Sequence, residues 1–161
     1  IRNGGLWMSP HLKRNGAMQP AMPTEIEEYC ETIEDCYEFT LSYAAKGFSS
    51  DEGSDSGRLL REKLTRAVEA MRGLEDGCAA ALKDRQLTPA EKYQAFIAVL
   101  ALDARNSVAA VEMVLAQPAI SSQLIDNLNA SIHLRALLTD LFLITEILAA
   151  RQAQAKIAAP Q

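Results

Sequence analysis

After Gly77 the chain contains no glycine, and the prolines that follow it, Pro89, Pro118 and Pro160, fall at the edges of apolar-periodic segments rather than inside them. Glycine and proline are the residues that turn or break a chain. A stretch this poor in breakers has to be read by its periodicity, and the periodicity is helical. No run alternates apolar and polar residues with the period of two that a half-buried strand requires. The fold class predicted is all-α.

Four amphipathic segments follow. The first, about 24–46, starts with Thr24 and Glu27 in capping-box spacing, where each side chain satisfies a free backbone N–H. Its stripe is Ile26, Cys30, Ile33, Tyr37, Thr40 and Ala44, and Lys46 with Gly47 supplies the stop. After a loop of Ser, Asp, Glu and Gly, a second helix is expected over about 58–84, with Leu60, Leu64, Ala67, Val68, Met71, Leu74, Cys78, Ala81 and Leu82 on one face. Gly73 and Gly77 lie beside that stripe, where they permit close packing or mark a break. Thr88, Pro89, Ala90 and Glu91 read as an N-cap, a proline at the first helical position and a capping-box acid, opening a third helix over about 89–116. Its stripe runs through Tyr93, Phe96, Ile97, Leu100, Ala104, Val108, Val111 and Leu115. A fourth helix is expected over about 119–155. Four such segments with short loops are the ingredients of an antiparallel four-helix bundle over 24–157, preceded by an irregular arm, residues 1–23, punctuated by glycine and proline.

Bundles of this kind hold several chemistries, and each needs side chains that can be looked for. A di-iron centre needs Glu-x-x-His on two helices plus two further glutamates facing inward. The two histidines, His11 and His133, have no glutamate three residues before them. Phosphotransfer modules follow their histidine with a lysine and a glycine, whereas here the run is His133-Leu134-Arg135-Ala136-Leu137. His133 is read as a surface histidine on a polar stripe with Ser122, Asp126, Asn129 and Asp140. Cys30, Cys36 and Cys78 match no Cys-x-x-Cys spacing and read as core residues of a reducing compartment. There is no nucleophile elbow, phosphate loop or dinucleotide fingerprint. No catalytic residues, metal or cofactor are therefore expected, and the chain reads as a non-enzyme.

Charge and surplus apolarity carry the remaining signal. The net charge of −5 hides a segregation: residues 1–23 sum to +3, residues 24–55 to −9 and residues 56–161 to +1. An acidic segment repels nucleic acid and favours a basic partner, so Glu27, Glu31, Glu34 and Glu38 are the expected partner-binding face. The third and fourth segments are more apolar than a single packed face requires, since Val99, Leu102 and Met113 lie off the main stripe and Leu143 and Ile147 replace polar residues. The covering partner expected is a second copy, giving a homodimer, with Leu6, Trp7 and Met8 of the arm, or another protein, as alternative covers. Arg135, close to the stripe of Leu128, Ile132 and Leu138, is expected to pair with Asp103 or Glu112. The alternative function for that trio is a small-molecule site between helices of a sensor bundle. The expectation is a cytoplasmic interaction or regulatory protein with no membrane span.

Overall fold

A computed structural model describes residues 25–158. Among them the secondary structure is helical throughout, in the order α1 (Glu25–Ala45), α2 (Asp55–Asp84), α3 (Ala90–Leu115), α4 (Ser122–Asn129) and α5 (Ile132–Ala158). The irregular arm and Thr24 lie outside the described residues. α2 packs between α1 and α3, α5 packs on the other side of α3, and α4 closes against α1.

Four pairs fix the relative directions of α1 and α2, of α2 and α3, and of α3 and α5. Arg85 at the end of α2 meets Glu27 at the start of α1, at 3.6 Å. Arg72 meets Glu112 while Arg105 reaches back to Glu75, so the numbering of α2 and α3 runs oppositely. Arg151 of α5 donates to the carbonyl of Thr88, just before α3. Tyr43, Leu60, Leu64, Leu74, Leu100, Leu137 and Leu141 are fully buried at the centre.

Helix ends follow local chemistry, with corrections to the expected bounds. α1 stops where Gly47 takes φ +68°, a left-handed turn that suits glycine. α2 starts three residues earlier than expected, because the Ser54 hydroxyl accepts from the Gly57 amide as an N-cap. Gly57 itself is required: a Cβ there would stand 1.9 Å from the Asp51 carbonyl oxygen. Gly73 and Gly77 mark close packing rather than a break, since a Cβ at Gly73 would lie 2.5 Å from the Tyr29 ring of α1. The Thr88 cap does not form. Pro89 occupies the cap position without a side-chain bond, which leaves the Thr88 hydroxyl one residue too early for the orphan amides.

The largest correction concerns the expected fourth helix. It is two helices, α4 and α5, parted at Ala130 and Ser131. Ser121 caps α4 by accepting from Leu124. Continuing the stripe of Ile125, Leu128 and Asn129 would bury Ile132 and Arg135, yet Ile132 is 75% exposed and Leu134, Leu137, Leu138 and Leu141 face inward instead. The break rotates the buried face. It also separates the polar stripe into unlike parts: Ser122 and Asn129 are buried, while His133 is exposed.

Candidate interaction surfaces

The acidic face of α1 is only partly answered by α2. Lys63 pairs with Asp35 and Arg85 with Glu27, but Arg58 stays with Asp55, Arg61 turns to Asp51 and Arg72 to Glu112. Glu31 and Glu38 are exposed and Glu34 is half-buried. Burial first, then the neighbouring charges of Glu38 and Glu31, pushes the Glu34 carboxyl above its ordinary value. Beside this face, Glu28, Glu31, Thr32, Asp35, Lys63 and Arg66 line an open groove of about 340 Å³ between α1 and α2.

The second surface is the outer flank of α3 and α5. Val99 is 50% exposed, Leu102 52%, Met113 69% and Leu143 49%, while Ile147 is half-buried. On α3 the positions Val99, Leu102, Asn106, Ala109 and Met113 recur at alternating spacings of three and four, a heptad seam on the side away from the core that continues to the C-cap Ala116. Asn106 occupies a central position of that seam. The sequence already showed Val99, Leu102 and Met113 as surplus; the seam through Asn106 and Ala109 only becomes evident once the core-facing stripe is known.

Asp103 and Asp140 meet on this flank. Asp140 of α5 is pushed above the ordinary carboxylate range by burial first, then by the neighbouring Asp103 carboxyl. Its Oδ2 atom is buried with no hydrogen-bond partner. Asp103 lies one turn beyond Val99 and next to Leu102, and Asp140 lies one turn before Leu143 and two before Ile147. The pair of acids therefore stands among the exposed apolar side chains.

The trio expected between helices is not assembled. Glu112 is held by Arg72 at 2.5 Å, Asp103 faces Asp140, and Arg135 is exposed on α5, its carbonyl accepting from Thr139. The buried ion pair lies elsewhere. Asp51, in the loop before α2, accepts from Arg61 Nε at 2.5 Å and from the Ile120 amide at 2.6 Å. Arg61 also donates to the carbonyls of Leu115, Gln117 and Pro118, the last turn of α3 and the loop beyond. Ser122 donates to the Tyr43 carbonyl and accepts from the Phe48 amide, and Tyr43 Oη donates to the Ile120 carbonyl. These groups tie four elements together and are consumed in doing so.

Cys30, Cys36 and Cys78 are buried free thiols, each pushed up to about 12 by desolvation, which leaves them without thiolate character. Among the described residues no cluster of three or more His, Cys, Asp or Glu side chains is placed to hold a metal ion. No helix described is long and apolar enough to cross a membrane. Comparison of the chain with protein-family models, curated proteins and solved structures finds no match.

Proposed function

We propose that this chain is a non-enzymatic helical interaction module that associates with itself through the outer flank of α3 and α5 and presents the acidic face of α1 to a basic partner. The observation that carries the reading is the row of exposed large apolar side chains, Val99, Leu102, Met113 and Leu143. Contiguous apolar exposure on a folded surface marks a contact that is made elsewhere. Each of these half-exposed side chains gains roughly 1–1.5 kcal/mol on burial, or about 10 kcal/mol over two copies. Association itself costs about 4–15 kcal/mol. The balance fits a reversible dimer rather than an obligate one.

The flank also has the right size. α3 and α5 have 26 and 27 residues, so two helices side by side, ~39 Å long and ~10 Å wide, present a strip on the order of 800 Å². That is about the area each partner contributes to a standard interface. The acidic reading of α1 rests on Glu31, Glu34 and Glu38, whose mutual repulsion a cationic partner would relieve.

Sedimentation equilibrium tests the first half. The full chain is expected to dimerise reversibly, and Leu143→Asp with Ile147→Asp to give a monomer with unchanged helical circular dichroism. A dimer of undiminished affinity in that variant would defeat the assignment of the flank. For the second half, a Lys- and Arg-rich peptide should bind in low salt and lose at least tenfold in affinity when Glu31, Glu34 and Glu38 are replaced by Lys. Equal binding by both proteins would remove α1 from the proposal.

A further inference from the structure

Three features of the α3–α5 flank bear on what covers it. The seam on α3 is close to self-complementary about Asn106: in an antiparallel pair with a two-fold axis at that residue, Val99 faces Met113 of the second copy and Leu102 falls level with Ala110, beside the small Ala109 of the seam. A polar Asn in an otherwise apolar seam sets register, because shifting it leaves an amide buried without a partner. A two-fold contact of this kind uses the same patch on both chains. The third feature is the pair of carboxyls, Asp103 and Asp140, inside the same patch, with Asp140 Oδ2 already shielded from water and unpaired.

A second copy lying on Val99, Leu102, Leu143 and Ile147 would remove the remaining water from both acids. Two carboxylates desolvated together repel strongly, and one shared proton turns the repulsion into a hydrogen bond. We infer that the outer flank of α3 and α5 is the contact face of a two-fold homodimer, and that this contact closes over an Asp103–Asp140 pair sharing one proton. The inference rests on the self-association proposed above and adds its control. Each chain takes one proton from solvent on pairing and releases it on separation.

The charges around the pair support this assignment. From α3 the group that acts on Asp140 is Asp103. Arg105 and Glu112, on the other side of α3, are held by Glu75 and Arg72 of α2. On α5 itself, His133 stands two turns before Asp140, and Arg151 is tied to the Thr88 carbonyl. No described cation neutralises the two acids, so protons are left to do so.

The test is sedimentation equilibrium of the full chain at pH 5, 6, 7 and 8 and constant ionic strength, with Asp140→Asn, Asp103→Asn and His133→Gln alongside. With two protons bound per dimer, the dissociation constant should rise by up to about 100-fold per pH unit over the coupled range. In Asp140→Asn the dependence should flatten, and the dimer at pH 8 should match the wild type at pH 5 within about threefold. Asp103→Asn should do the same, which guards against one variant failing to fold. His133→Gln should keep the wild-type profile, which separates the acid pair from a histidine switch. A wild-type dimer of constant affinity from pH 5 to 8, or a dependence that vanishes only in His133→Gln, overturns the inference and leaves self-association standing. A monomer in every variant at every pH overturns both.

Discussion

The loop end of the molecule, where α1, α2 and α4 meet, and the flank of α3 and α5 treat polar groups in opposite ways. At the loop end Asp51, Tyr43 and Ser122 are buried, and each has its hydrogen bonds made. On the flank large apolar side chains face water while Asp140 Oδ2 is buried without a partner. Buried polar groups that are fully paired fix one arrangement of the chain. Unpaired ones beside exposed apolar surface mark a place that is finished by something outside the chain. The difference separates the part built for folding from the part available for contact.

If the loop end is a folding device, breaking it should have the largest effect in the molecule. Asp51→Ala removes the acceptor of both Arg61 and the Ile120 amide, and leaves a half-buried guanidinium with its charge unanswered. Loss of one partner of a buried pair typically costs about 3–5 kcal/mol. Urea denaturation should show that loss, and a midpoint within experimental error of the wild type would demote Asp51 to a surface contact. Gly57→Ala should come next. Its Cβ has backbone, not a flexible side chain, 1.9 Å away, so α2 and the loop must move apart at about 1–3 kcal/mol. A variant as stable as the parent would show that α2 does not seat on that loop.

The two regions should also answer pH with opposite signs. Burial alone would raise the Asp51 carboxyl, but the hydrogen bonds from Arg61 and the Ile120 amide, with the Arg61 charge, hold it below the usual range. Its stabilising contribution is present above the unfolded-state value and is lost as pH falls through the depressed folded one. Asp140 is raised, so its protonated form favours the folded state at low pH and that contribution is lost as pH rises through its folded value. Thermal melts from pH 3 to 8 should therefore show Asp51→Asn losing stability mainly at neutral pH and little in acid. Asp140→Asn should gain mainly at neutral pH. Parallel profiles for the two variants would erase the contrast.

What could be read in advance divides along the same line. The stripe of α2 from Leu60 to Cys78 is buried as its spacing required, because one apolar face of a long helix has one place to go. The surplus residues Val99, Leu102, Met113 and Leu143 were legible for the converse reason: a face already filled leaves the others outside. The break at Ala130 and Ser131 was not, since neither glycine nor proline marks it and the change is a rotation of the buried face. Nor was the role of Asp51 and Arg61. Their contacts reach Leu115, Gln117, Pro118 and Ile120, more than fifty residues away, and only the assembled fold brings a loop acid to the end of α3. Arg135 lies close to the stripe of Leu128, Ile132 and Leu138 in the sequence, and the rotation carries it to the surface.

The smallest effect tests whether a buried hydroxyl inside α3 is as unpaired as Asp140 Oδ2 on the flank. Ser107 is fully buried on α3 and its hydroxyl has no hydrogen-bond partner, one turn before the core residue Val111 and one turn from Asp103. Ser107→Ala removes a desolvated hydroxyl that gains nothing in return, and alanine favours the helix more than serine does. The variant should be more stable by about 0.5–1 kcal/mol, a rise of roughly 2–4 °C in melting temperature for a chain of this size. A fall of similar size would mean that the hydroxyl is bonded in solution, to water or to a neighbouring carbonyl. The interior of α3 would then be as well satisfied as the loop end, and among the described residues the buried unpaired groups left would be Asp140 on the flank and the Asn129 amide of α4.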